Sequence, residues 1–112
     1  MSAPTVRILF GKASSLGPGK IALLEHIVRA GSISAAAREM DMSYRRAWLL
    51  VEAMNQAFRE PVVAAVSGGK RGGGAVVTPF GQDLLLRYRA IEHKAAQAVA
   101  PDLALLTEFL AS

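Results

Sequence analysis

Apolar positions recur with helical spacing in three segments of the first sixty residues. In residues 18–30 they fall three and four apart, on one face of a helix: Ile21, Leu24, Ile27 and Val28. Gly31 predicts the end of this helix. Ser32 or Ser34 then caps a short second helix that runs through Met40. A tight turn follows, and Ser43 caps a third helix that extends to about Arg59. Its apolar side is predicted to face the core: Ala47, Leu50, Val51, Met54, Ala57 and Phe58.

Short β-branched runs flank these helices. Residues 5–10 predict a strand, and residues 11–19 have the composition of a loop. Residues 62–66 and 75–77 predict a hairpin with a glycine-rich tip. Thr78-Pro79 is a strong helix start, because a capping hydroxyl precedes proline at the first helical position. We expect this fourth helix to reach about Val99, where Pro101-Asp102 interrupts it before a last helix at residues 103–110.

This order of elements predicts a mostly α fold with a small β-hairpin, a winged helix-turn-helix followed by a long C-terminal dimerisation helix. The expected DNA-binding domain is residues 1–78. Within it, the turn lies at about 40–43, the recognition helix at about 43–59 and the wing at 62–77. Residues 79–112 are expected to form a helical dimerisation segment.

The first turn of the third helix carries hydrogen-bond donors that point outward or half-outward. In a recognition helix, this turn reaches base edges and phosphates, and arginine can bridge O6 and N7 of guanine. The candidate DNA contacts on the predicted second and third helices are Ser34, Ser43, Tyr44, Arg45, Arg46, Trp48 and Leu49. Two adjacent arginines alone would also fit an ordinary solvated surface helix, but the preceding turn and the following basic hairpin favour DNA. For Trp48, packing at the domain edge and contact with DNA both remain open.

The hairpin tip carries the cations Lys70 and Arg71 among five glycines. Basic residues on a wing suit a phosphate track or a minor groove, so both are candidate DNA contacts. A nucleotide-binding Walker loop is excluded, because Gly69-Lys70 is followed by arginine and more glycines instead of Ser or Thr.

The fourth helix carries a short heptad-like seam. Its members are spaced four, three, four and three residues apart: Leu84, Tyr88, Ile91, Ala95 and Ala98. Much of the helix should extend past the winged domain, so we expect a homodimer contact here. Packing of the seam on the chain's own core is the alternative.

Composition narrows the function further. Thirteen Lys and Arg against nine Asp and Glu give 112 residues a net charge of +4, which makes a polyanion a plausible partner. The absence of cysteine excludes disulfides and thiolate sites. With only His26 and His93 and no nucleophile motif, we expect no metal, no cofactor and no enzyme activity. Neither a targeting signal nor a membrane segment is predicted, so the expected location is cytoplasmic.

Three motifs resemble known bacterial regulators. Residues 31–37, Gly-Ser-Ile-Ser-Ala-Ala-Ala, resemble the second-helix start shared by LysR-type and molybdate-responsive ModE regulators. Residues 43–48 with Met54-Asn55 resemble the ModE recognition helix, although Arg45 stands where that family often has lysine. Residues 68–78, followed by Gly81-Gln82, resemble the ModE wing and helix start. The likeness runs from about residue 18 to residue 92.

The resemblance implies a dimeric winged-helix regulator of molybdenum-related genes that binds double-stranded DNA. Full-length ModE regulators also carry oxyanion-binding domains, for which this sequence has no room before Ser112. We therefore expect a stand-alone DNA-binding member or a separate ligand-sensing partner, and molybdate binding is assigned to no residue here. The alternative function is a winged-helix protein-interaction module that does not bind DNA.

Overall fold

The computed structural model describes residues 4–11, 14–67 and 74–111. The helices of this part are α1 (Pro18–Ala30), α2 (Ile33–Glu39), α3 (Tyr44–Ala57) and α4 (Pro79–Thr107). The strands are β1 (Ile8–Phe10), β2 (Ser14–Leu16), β3 (Val63–Val66) and β4 (Gly74–Val77). β1 pairs with β2 and β3 with β4, both antiparallel. The predicted winged helix-turn-helix fold is confirmed. In it, α3 lies where the recognition helix is predicted and β3–β4 lies where the wing is predicted.

The ends of the helices follow local chemistry. Gly31 adopts φ 75°, a left-handed conformation, and its N–H donates to the carbonyl of Ile27 to close α1. Pro79 occupies the first turn of α4, where its missing N–H costs nothing. The Thr78 hydroxyl caps this helix by accepting from the N–H of Gly81 at 2.9 Å and also donates to the Pro61 carbonyl at 2.7 Å. Ser43 is likewise the cap of α3. The helix starts predicted at Ser43 and Thr78 are therefore confirmed.

Two predictions about the elements were wrong. Residues 14–16 form strand β2 within the expected loop, and Leu16 pairs with Ile8. In addition, α4 continues through Pro101 to Thr107 as a single helix. Proline removes one helical hydrogen bond to the residue four before it. Because Gln97 and Pro101 are both exposed, water can satisfy the carbonyl that loses its partner.

The core forms around α1 and includes the first turns of α4. Side chains of α1 that are at most 1% exposed are Ile21, Leu23, Leu24 and Ile27. In α4, Gly81, Leu85 and Tyr88 are buried against this core. Packing therefore continues across the boundary expected at residue 78, and the fourth helix belongs to the winged domain as far as Tyr88.

Polar contacts fasten α4 to the rest of the domain. The Tyr88 hydroxyl donates to the carbonyl of Val6, and burial raises the pKa of this phenol. Arg89 binds both carboxylate oxygens of Glu25 on α1, at 2.6 and 3.2 Å, and contacts Glu92 at 2.5 Å. Hydrogen bonds to Glu25 and then Glu92 raise the pKa of Arg89, which stays charged. The direction of α4 relative to α1 is thereby fixed.

None of the helices described here combines the length and the apolar character needed to cross a membrane.

Candidate nucleic-acid interface

The helix-turn-helix is built from small buried residues and two serine caps. Ser32 accepts from the N–H of Ala35 at 3.0 Å at the start of α2. Ser43 accepts from the N–H of Arg46 at 3.1 Å at the start of α3. Between the helices, Asp41 adopts φ 55°, which reverses the chain within the turn. The alanines at the helix contact are at most 2% exposed and allow close packing: Ala36, Ala37 and Ala47.

The recognition helix turns its predicted DNA-contacting residues toward solvent. The exposed members of this set are Ser43, Tyr44, Arg45, Arg46, Trp48 and Leu49. Its predicted core side is buried or half-buried at every position except Ala57, which is exposed. Since consecutive residues are about 100° apart, Arg45 lies midway between Tyr44 on one edge and Arg46 on the other. The helix therefore presents a convex, solvent-exposed ridge with cations at its first turn.

The charges of this ridge are unpaired among the described residues. The carboxylates that form ion pairs in the described part of the chain are Glu25, Glu39, Glu60, Asp83 and Glu92. None of them forms an ion pair with Arg45 or Arg46. A cation without a protein partner keeps its full attraction for a polyanion, because no intramolecular contact has to be broken first. The first turn of α3 can therefore bind phosphate or guanine directly.

Asn55 joins the recognition helix to the wing. Its side-chain oxygen accepts from the N–H groups of Val62 and Val63 at 2.7 and 3.1 Å, and its amide donates to the Val63 carbonyl at 3.1 Å. At the other strand, the N–H of Ala75 donates to the carbonyl of Gly31 at the end of α1. In the sequence, Asn55 stands out only within the Met54-Asn55 motif. An amide near the end of the predicted third helix, 7 residues before the predicted strand, is the signal that could indicate this contact.

A groove of about 470 Å³ separates α3 from the wing. Tyr44 and Trp48 line it from the helix, and Ala65 lines it from β3. Trp48 is 42% exposed, so its ring both packs at the domain edge and presents surface to the groove. Lys70 and Arg71, the predicted wing cations, lie outside the described residues.

Ser34 lies on a different element from the other candidates. It is exposed on α2, and its hydroxyl accepts from Nη1 of Arg38 at 3.1 Å. Arg38 is an exposed cation that is not among the predicted DNA contacts.

The seam predicted for dimerisation divides between two environments. Tyr88 is 1% exposed inside its own chain's core, so its assignment to a dimer contact was wrong. Leu84 is half-buried and packs against the same core. Ile91 is 43% exposed, Ala95 is half-buried and Ala98 is exposed. The part of the seam that is open to a partner therefore begins at Ile91.

Comparison with known proteins agrees with this architecture. Residues 19–82 match the family described as "Bacterial regulatory helix-turn-helix protein, lysR family". The matched range begins in α1 and ends within the first turn of α4, so it includes the helix-turn-helix and the wing.

Several curated proteins are similar over most of this chain. The molybdenum-pterin-binding protein MopB of Rhodobacter capsulatus is 48% identical over 93 residues, 83% of this chain and 34% of MopB. The molybdenum transport protein ModE of Azotobacter vinelandii is 42% identical over 79 residues, 70% of this chain and 29% of that protein. The DNA-binding transcriptional dual regulator ModE of Escherichia coli (strain K12) is 42% identical over 91 residues, 79% of this chain and 35% of its own length. The chain spans about a third of the length of these relatives. The resemblance drawn from the motifs is confirmed.

Proposed function

Because this chain belongs to the lysR family of bacterial regulatory helix-turn-helix proteins, we propose that it is a sequence-specific DNA-binding regulator of molybdenum-related genes. The observation that carries this proposal is the exposed first turn of α3, where Arg45 and Arg46 have no carboxylate partner among the described residues. The names of the similar proteins, which refer to molybdenum and to transcription, support the choice of target genes. We propose further that the protein is not an enzyme and that it acts in the cytoplasm.

The proposed role of each basic residue follows from its place. Arg45, at the centre of the exposed ridge, reads a base edge in the major groove. Arg46, at the border of the ridge, contacts a phosphate. Lys70 and Arg71 are assigned to phosphate or minor-groove contacts by sequence, as wing residues.

The test is a binding measurement on the full chain with a duplex recovered by selection from a random library. Arg45→Ala should weaken binding to that duplex by about 1–3 kcal/mol and relax the preference at one base pair. Lys70→Ala should weaken all duplexes alike and lower the salt slope by about one. Arg29→Ala is the control, because Arg29 is exposed on α1 and is assigned neither to DNA nor to the dimer contact.

A protein-interaction module would behave differently in the same experiment. The exposed Tyr44, Trp48 and Leu49 could dock on a protein, but two unpaired arginines beside them favour a polyanion. If wild-type protein shows no preference for any selected duplex, and its weak DNA binding disappears at moderate salt, the regulator assignment fails.

We also propose that the regulator is a homodimer and that α4 supplies the contact. The helix has 29 residues, or about 43 Å at about 1.5 Å per residue, and its second half extends away from the core. Large apolar side chains beyond the core residue Tyr88 are substantially exposed: Ile91, Val99, Leu105 and Leu106. A two-fold dimer would place two recognition helices on the half-sites of a pseudo-palindrome.

A further inference from the structure

A second basic surface lies on the side of α3 that faces away from the wing. There a pocket of about 180 Å³ is enclosed by the β1–β2 hairpin, the start of α1 and the recognition helix. Three cations from these separate segments line it, namely Arg7, Lys20 and Arg46. No carboxylate is among its lining residues. We call this concavity the flank pocket.

The cations of the flank pocket are held in place by the fold. Nζ of Lys20 donates to the carbonyl of Ser15 in β2 at 2.8 Å, which fixes its position and leaves two further N–H donors. The side chain of Arg7 extends across Gly17, with Cγ and Cζ 3.4 and 3.6 Å from the position that a Cβ on Gly17 would occupy. Among the described residues, neither cation forms an ion pair with a carboxylate. Three positive charges at one concavity repel one another, so a bound anion would offset this electrostatic repulsion.

The position of the pocket relative to α3 identifies the anion. Tyr44 and Trp48 form the edge of the ridge toward the wing, whereas Arg46 and Leu50 form the opposite edge and line the flank pocket. A helix in the major groove, which is about 12 Å wide, lies between two phosphate backbones. With α3 in that groove, the wing would be next to one of these backbones and the flank pocket next to the other.

We propose that the flank pocket binds backbone phosphates of the DNA strand on the side of the recognition helix opposite the wing, through Arg7 and Lys20 together with Arg46. This inference rests on the proposed function and adds a third contact to the recognition helix and the wing. The wing then contacts one of the two backbones that border the major groove, and the flank pocket contacts the other. Contacts on both sides fix the depth and the tilt of α3 in the groove. Phosphate contacts of this kind position a protein without reading sequence.

The experiment compares wild type with the double variant Arg7→Gln/Lys20→Gln on the selected duplex and on a scrambled duplex. We expect the slope of log K against log salt concentration to fall by about 0.9 for each phosphate contact removed. Affinity for both duplexes should fall by the same factor, so that the ratio between them is unchanged. The conservative variant Arg7→Lys/Lys20→Arg should retain the wild-type slope, and its thermal midpoint shows whether the hairpin tolerates substitution.

A charge-matched control and a phosphate scan complete the test. Arg29→Gln/Arg59→Gln removes two exposed charges from surfaces assigned to neither DNA nor the dimer, and it should leave the slope nearly unchanged. Neutral methylphosphonates placed one at a time along both strands should identify a position that weakens wild type but not Arg7→Gln/Lys20→Gln.

Three outcomes would overturn the inference, and they separate it from the proposed function. If the double variant keeps the wild-type slope while Arg45→Ala loses specificity, the regulator assignment stands and the flank contact does not. If wild type has no sequence preference, the proposed function fails and the flank contact falls with it. If titrated inorganic phosphate binds wild type but not the double variant, and both bind DNA equally, the pocket takes a small free anion instead.

Discussion

At the scale of single residues, the position of the wing depends on the carboxamide of Asn55. Its three hydrogen bonds satisfy backbone groups of Val62 and Val63, which are 0% and 5% exposed. Asn55→Ala leaves two N–H groups and one carbonyl without partners, at about 1–3 kcal/mol for each group that stays dry. We expect the free energy of unfolding to fall by about 2–4 kcal/mol in urea denaturation, since some of these groups regain water. DNA affinity should fall as well, because the wing loses its fixed position beside α3.

Two variants control for this effect. Gln56→Ala alters the exposed neighbour and should change stability by less than about 0.5 kcal/mol. Asn55→Asp keeps the acceptor for both N–H groups but places a carboxylate against the Val63 carbonyl, so its stability should lie between the other two. Equal stability of Asn55→Ala and Gln56→Ala would show that the carboxamide does not anchor the wing.

At the scale of elements, the start of α4 lies so close to the wing that only glycine fits at position 81. A Cβ there would lie 2.4 Å from the Val62 carbonyl oxygen and 2.6 Å from Cγ1 of Val77. Helix propensity alone favours alanine over glycine by about 1 kcal/mol. Because a backbone oxygen cannot move aside as a side chain can, we expect Gly81→Ala to destabilise the domain by about 1–3 kcal/mol in thermal denaturation.

The matched control for this substitution is Gly19→Ala in α1, where a Cβ would meet nothing within 4 Å. Here the propensity term acts alone, so the midpoint should rise or stay constant. A rise in both variants would mean that α4 can shift away from the wing at no cost.

The elements that local chemistry determines were predictable from the sequence. Ser43 and Thr78 are caps that act on N–H groups three residues away, so a short window contains the whole signal. Strand β2 has three residues, too few to show alternation, and its existence depends on pairing with β1. The continuation of α4 past Pro101 depends on solvent exposure of that turn, which a sequence window does not show.

At the scale of the whole molecule, the basic surface combines segments whose spacing in the sequence says nothing about their proximity. Arg45 and Arg46 were predictable because they share one helical turn. Their proximity to Arg7 and Lys20 was not, because the three segments meet only in the folded domain. Tyr88 shows the same limit, since its burial depends on a contact with Val6, 82 residues away.

The molecule is elongated, with dimensions of 55, 31 and 23 Å, and it contains the 29-residue helix α4. The proposed dimer contact lies on this helix. Ile91→Asp tests it, because Ile91 is 43% exposed and lies one turn beyond the last core residue of α4. In a dimer contact, the new carboxylate would be buried without a partner, at a cost of several kcal/mol. We expect sedimentation velocity to show a folded monomer, and DNA affinity to fall because a monomer engages one half-site where a dimer engages two.

The control is His93→Asp, which lies two residues further along and so about 200° around the helix from Ile91, and which should remain a dimer. A variant Ile91→Asp that sediments as wild type excludes this seam. Loss of folding would place Ile91 in the chain's own core, against its exposure here.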